Sequence, residues 1–245
     1  SRVTVMTGTA TYMAARELRD RALRHAGELL EAAPDDLVIR EGVVQITGSP
    51  HSPGLKLGDI AAALERNGAR ESGDGLSSEQ TFTTQHMTYP YGLHAAIVRV
   101  DPEIGGVTLE RYVVAYDVGR AVNPMLVEGQ IVGGIAQGVG GALLEEFVYD
   151  EDAQPLAATF MDYLIPTGTE MPHAEVLLSE DAPSPLNPLG VKGSGEGGVT
   201  AAGAAIAAAI DDAIGVPGAI TRLPVSPMRL RAILADTRPR EARPA

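Results

Sequence analysis

A single carboxylate framed by glycine is the residue of this sequence best arranged to do chemistry. The stretch Gly190-Val191-Lys192-Gly193-Ser194-Gly195-Glu196-Gly197-Gly198-Val199 sets Glu196 among four nearby glycines, just ahead of an Ala-rich segment of helical character. Glycine lets a backbone pass close to a bulky neighbour. A loop-to-helix junction offers unpaired amides that can hold an anion or a metal-oxo oxygen. A carboxylate there has its pKa set by desolvation, which raises it, against nearby donors, which lower it. Such a group can act as a general base near neutral pH; a capping or turn carboxylate is the plain alternative. The second candidate is Gln130. Glu128-Gly129-Gln130 precedes Gly133-Gly134 and Gln137-Gly138, so two amides lie seven residues apart on one helix side. Amides donate and accept, which suits the edge of a heterocycle; a surface helix that happens to carry glutamines is the alternative.

Other chemistries find no pattern. The 193–198 string is not a dinucleotide fingerprint, because no convincing strand precedes it and Asp211 and Asp212 sit at a helix end. Lys192 precedes the glycines instead of closing them, so no phosphate-cradling loop is formed. Five scattered histidines make no ligand cluster. His25 reads as a helix-surface residue, and His86 and His94, flanking strands, as structural. The absence of Cys removes disulfides, thiolate zinc sites and Cys-ligated iron-sulfur clusters from this chain.

The elements that must position Glu196 and Gln130 follow from periodicity. An amphipathic helix is predicted over 11–31, with Ala15, Leu18, Ala22, Leu29 and Leu30 inward and Pro34 as its stop. A short hairpin is predicted over 37–46 about Glu41-Gly42, then a helix over 56–66 with Leu57, Ile60, Ala61 and Leu64 inward. Residues 68–80 are polar and Gly/Ser-rich, a loop or link. Strands are predicted at 95–100 and 107–116, joined by a hairpin connection, and a helix at 127–145. Its six glycines need a reason such as close packing or a close ligand. Short strands are expected at 161–166 and 174–178, a helix buried on most sides at 200–214, and a strand or short helix at 222–234. With 245 residues, 44% hydrophobic, 21% charged and mean hydropathy +0.03, the chain reads as globular and α+β, with mixed sheets and packed helices. A net charge of -13 disfavours nucleic acid, and no apolar run is long enough to span a membrane. The expected organisation is an N-terminal α/β segment (1–80), a domain carrying the Glu196 loop (81–235) and a tail (236–245), in the cytoplasm.

Several of these segments carry a resemblance. Tyr116-Asp117-Val118-Gly119-Arg120 with Asn123-Pro124, then Gly129-Gln130, Gly133-Gly134 and Gln137-Gly138, and finally the 190–196 string, occur in this order. So does the turn Val100-Asp101-Pro102-Glu103-Ile104-Gly105 after Tyr91-Gly92 and His94. Together they resemble the large subunit of the xanthine dehydrogenase and aerobic carbon monoxide dehydrogenase family of molybdenum hydroxylases, over most of the chain to about residue 234. The resemblance implies the molybdenum-cofactor-binding fold of the aldehyde oxidase and xanthine dehydrogenase type. It also implies a molybdopterin cofactor in its cytosine dinucleotide form, with no protein ligand to the metal.

By the same resemblance Glu196 is the base beside molybdenum as a water-derived oxygen reaches an electron-poor carbon, and Gln130 with Gly129 contacts the pterin. Gly195 and Gly197 let the backbone approach the centre. Ser1, Arg2 and Thr4 resemble the start of a cofactor-contacting stretch. Family large subunits run to roughly three times this length. The chain is therefore expected to be the C-terminal portion of one, separately encoded or cleaved, active only with a companion chain supplying the other half. A start at Ser1-Arg2 without Met also suits a trimmed native terminus. An iron-sulfur [2Fe-2S] subunit and an FAD subunit are the implied electron relay. An N-heterocycle or an aldehyde is the implied substrate. Carbon monoxide, which needs a copper-holding cysteine on a loop outside this sequence, and a non-catalytic assembly role are the alternatives.

Overall fold

The computed structural model describes residues 2–49, 53–67 and 75–237. They form two compact units, one over Arg2–Gln85 and one from His86 onward. In the first, a π-helical turn, Thr4–Gly8, leads into helix α1, Thr9–Leu30. The helix ends on Glu31 in the left-handed conformation, φ 55°, its amide bonded to the Gly27 carbonyl. Pro34 instead opens a 3-10 turn, Pro34–Asp36, so the stop is the left-handed cap three residues earlier. The buried face is Ala22, Leu23, Ala26 and Gly27, whereas Ala15 and Leu29 face outward, a correction at two positions of the expected stripe. His25 is half-buried, with its Nε2 enclosed, and is not a surface residue.

Strands β1 (Leu37–Arg40), β2 (Val43–Ile46) and β3 (Leu55–Lys56) form an antiparallel sheet, followed by helix α2, Leu57–Arg66. Leu23, Ala26, Leu37, Val44 and Ile60 close this core. Residues 68–74 of the expected link lie outside the described residues. Its continuation is tied to α1, since Arg21 donates to the Gly75 and Ser77 carbonyls and Ser78 and Gln80 donate to Glu17.

The second unit is built on a mixed sheet in the order β4–β5–β6. β4 (Tyr91–Asp101) and β5 (Gly106–Asp117) pair antiparallel through the expected tight connection. β6 (Ala174–Ser179) lies parallel to β5. A parallel neighbour requires a crossover, and helix α3, Pro124–Leu143, lies within it. Pro124 sits in the first turn, and the side chain of Asn123 caps the helix by accepting from the Leu126 amide at 3.3 Å.

One face of the sheet (Tyr112, Val114 and Tyr116) packs with Ile131, Ile135 and Val139 of α3 and with Ile206 and Ile210 of α4, Ala202–Ile214. Leu230 of α5, Pro227–Thr237, completes the core. Each such side chain contributes about 1.5–3 kcal/mol on burial, so this contact fixes where α3 lies.

Two expectations are corrected. Residues 161–166 form a turn held by Asp162 and Tyr163 amides on the Thr159 carbonyl, with Met161 exposed and, among the described residues, no partner strand. Helix α4 buries one face (Ala202, Ile206, Ile210) and exposes Ala204, Ala208 and Asp212, because contacts repeat every fourth residue. The last element, expected as a strand or short helix, is the helix α5; 238–245 lie outside the described residues. Among the described residues no helix is long and apolar enough to cross a membrane.

Candidate active site

The loop carrying Glu196 is clamped at its base by the end of β5. Gly119, with φ +67°, bridges to Val191, the Arg120 amide donates to the Gly190 carbonyl at 3.0 Å, and the Lys192 amide donates to the Val118 carbonyl at 3.0 Å. Lys192 donates from Nζ to Asp117 Oδ2 at 3.0 Å and lies 5.1 Å from the centre of the Tyr91 ring. Burial pushes the Asp117 carboxyl up, but the Gly119 amide and Lys192 together outweigh it and hold the group below its usual value. Buried Asn187 brackets Val191, donating to its carbonyl at 2.9 Å and accepting from its amide at 3.1 Å.

Beyond the clamp the chain turns tightly. The Gly197 amide donates to the Ser194 carbonyl at 3.1 Å, and the Glu196 carbonyl accepts from Val199 and Thr200 amides at 3.2 and 3.1 Å. Those amides serve the turn itself, so they are not the free anion-binding donors that a loop-to-helix junction suggested. The Glu196 side chain is exposed.

Two glycines of this loop have packing reasons. A Cβ on Gly198 would fall on the Ile131 carbonyl and 2.7 Å from the Ile135 amide nitrogen; one on Gly197 would lie 2.5 Å from the Tyr116 ring. From the helix side, a Cβ on Gly134 would lie 2.9 Å from Gly198 Cα, and one on Gly138 would strike Ala202 Cβ. Gly195 is different: it is exposed, and its nearest neighbour would be Gln130 Oε1 at 3.9 Å.

The glycine-dense helix thus has two faces. Gly134 and Gly138 let the 198–202 segment close against it. Gly129, Gly133 and Gly141 have open space where a side chain would stand, and Gly129 and Gly133 share the exposed side with Gln130 and Gln137. Glu196, Gly195, Gln130 and Gly129 are therefore brought into one neighbourhood, a carboxylate beside an amide-bearing surface stripped of side chains. Ser1 lies outside the described residues; Arg2 and Thr4 are exposed and belong to the other unit. Among the described residues no group of three or more His, Cys, Asp or Glu could hold a metal ion.

The structure adds His94, which its sequence setting marked as structural, and Tyr112, which the sequence did not single out. His94 lies inside β4, not beside it, with Nδ1 2.7 Å from the Tyr112 hydroxyl and Nε2 2.9 Å from the Gly197 carbonyl. A carbonyl only accepts, so the proton is assigned to Nε2 and Tyr112 donates to Nδ1. Burial lowers the His94 pKa against the pull of that carbonyl, which favours this neutral form. Burial likewise pushes the Tyr112 phenol up to about 12. It raises that of Tyr116 too, with the Glu196 charge adding to the rise. Strand alternation was the available signal, since His94 shares the inward side with Ala96, Val98 and Val100.

This geometry has relatives. The family described as "Molybdopterin cofactor-binding domain" matches residues 1–172. The chain belongs to that family, among the large subunits of the xanthine dehydrogenase and carbon monoxide dehydrogenase type. It is 44% identical over 232 residues to the 6-hydroxypseudooxynicotine dehydrogenase complex subunit gamma of Paenarthrobacter nicotinovorans, covering 94% of this chain and 29% of that one. Quinoline 2-oxidoreductase from Pseudomonas putida 86 superposes with a TM-score of 0.83 at 37% identity, over 97% of this chain and 30% of that one. A Cu,Mo-CO dehydrogenase gives a TM-score of 0.83 at 30% identity, over 96% and 29%. The chain spans under a third of the length of the relatives it matches. Family membership implies a molybdopterin cofactor, and the bare, amide-lined face of α3 beside Glu196 fits one: it offers donors, acceptors and open space where side chains are missing.

Proposed function

We propose that this chain supplies the base-bearing wall of a molybdenum hydroxylase site, in an enzyme that oxidises an N-heteroaromatic substrate with water-derived oxygen. The observation that carries this reading is the exposed Glu196 turn set beside the Gln130 face of α3 in a member of this family. When bound, the cofactor (in its cytosine dinucleotide form) supplies the two-electron redox centre and the site of oxygen transfer. Gln130, Gly129 and Gly195 would hold it on this side, the amide orienting a heterocyclic edge through one donor and one acceptor. Gly197 serves the same wall from beneath by admitting the Tyr116 ring.

Glu196 takes the proton released as oxygen reaches the substrate carbon. Its side chain is exposed, so a companion surface would have to enclose it to keep bulk water from competing for that proton. The companion is the remainder of a family large subunit, with [2Fe-2S] and FAD chains carrying electrons away. Two names support the substrate class, an oxidoreductase of quinoline and a dehydrogenase of a nicotine derivative. Carbon monoxide is the weaker reading: the TM-score is equal, but identity to the quinoline enzyme is 37% against 30%.

The test is to purify this chain with its companion chains and measure molybdenum, pterin and reduction of a dye acceptor by N-heterocycles. Molybdenum and pterin in near-equal amounts to this chain, with turnover of a heterocycle, is the expected result. A complete complex without molybdenum would make the chain a structural subunit and overturn the reading.

A further inference from the structure

We propose that His94 is the positioning residue of the Glu196 turn, an inference that rests on the role given to Glu196 above. A glycine on either side leaves the carboxylate without side-chain packing of its own, and glycine backbone is the least restrained of any residue. What orients the turn must then reach its main chain. His94 does so from across the sheet, 103 residues away, donating from Nε2 to the Gly197 carbonyl at 2.9 Å. That carbonyl belongs to the residue directly after Glu196, so fixing it fixes the plane of the 197–198 peptide. The imidazole is itself held: Tyr112, fully buried, donates to Nδ1 at 2.7 Å and meets the ring edge-on at 88°. Below, the Tyr116 ring fills the space that a Gly197 side chain would need, so the turn cannot sink toward the sheet when the bond is lost. Its freedom is to rotate outward, carrying Glu196 away from Gln130. A chain of two hydrogen bonds thus connects the core to the carboxylate, Tyr112 to His94 to Gly197.

The experiment compares His94→Leu, His94→Gln and Tyr112→Phe in the assembled complex, with amide hydrogen exchange read on the same samples. A Gln carboxamide places its nitrogen near where Nε2 stands, so it can keep the donor; Leu cannot. In His94→Leu, kcat is expected to fall about 10- to 100-fold, the cost of misplacing a reacting group by about 1 Å. KM is expected to change far less, and molybdenum and pterin content not at all. The Val199 and Thr200 amides, protected through the Glu196 carbonyl, should exchange faster in His94→Leu and at the native rate in His94→Gln. Tyr112→Phe, which keeps the ring, should move kcat and exchange the same way by less, and it serves if His94→Leu does not fold. Native kcat in His94→Leu, or His94→Gln failing as badly as His94→Leu, overturns the proposal. The role of Glu196 is judged separately by its own variant: loss of turnover there, with a silent His94→Leu, sinks only the positioning role.

Discussion

Replacing Gly198 by Ala tests whether the catalytic loop is seated directly on the backbone of α3. The added Cβ would fall on the Ile131 carbonyl oxygen, 2.7 Å from the Ile135 nitrogen and 2.9 Å from the Gly134 carbonyl carbon. All three are helix backbone, which cannot swing aside as a side chain can. Ordinary contacts between such atoms begin near about 3.5 Å, so the loop must retreat by about 1 Å. Overpacking of this kind costs about 1–3 kcal/mol. For a chain of this size each kcal/mol lowers Tm by about 2–4 °C, which gives a fall of about 2–12 °C. Gly133→Ala on the same helix is the control, because nothing lies within 4 Å of its Cβ. There the helix gains about 0.5–1 kcal/mol and Tm rises slightly. In the assembled enzyme the same Gly133 variant should lower pterin content, since it raises a methyl on the face assigned to the cofactor. Thermal melts by circular dichroism read both shifts. A Gly198→Ala protein melting at or above the native temperature, or two variants shifting alike, would refute the seating.

Two further variants probe the clamp. Asn187→Ala removes both partners of Val191, and each buried backbone group left unsatisfied costs about 1–3 kcal/mol; trypsin should then cut at Lys192 much faster, and an unchanged cleavage rate would speak against the clamp. Asp117→Asn weakens the ion pair to Lys192, with an expected loss of about 1.5–3 kcal/mol at pH 7, the range for hydrogen bonds to charged groups. The sign with pH follows from the lowered Asp117 pKa: its contribution is fully present above the unfolded value of about 3.9 and disappears as pH falls through the lower folded value. Urea titrations of wild type and Asp117→Asn should therefore converge as pH drops below about 3.9 and through the lower folded value, and a gap that stays constant would count against the pair.

The order of elements was largely legible because periodicity is a local property. Leu57, Ile60 and Leu64 announce α2, and the alternation from Ala96 to Val100 announces the inner side of β4. What was not legible depended on distant partners. Residues 161–166 carry the apolar types of a strand, yet among the described residues no strand pairs with them. The six glycines of α3 were rightly suspected of close packing or a close ligand, but separating Gly134 and Gly138, which meet the loop, from Gly129 and Gly133, which meet open space, requires knowing which face the loop covers. Glu196 and Gln130 were legible as separate candidates, but that the Gly195 backbone comes up beside Gln130 Oε1 depends on the fold. His94 was passed over because a lone histidine in an apolar strand gives no sign of what lies 103 residues ahead. Gly197 shows the same limit, since its reason is a tyrosine ring from a different strand.

The central claim is that Glu196 is the base of the site. Substituting Glu196→Gln keeps size and hydrogen-bonding capacity but removes the ability to accept the proton. The decisive measurement is turnover per bound molybdenum in the assembled complex carrying that change. The account predicts near-native molybdenum and pterin content with turnover abolished. Turnover at the native rate per molybdenum would contradict it.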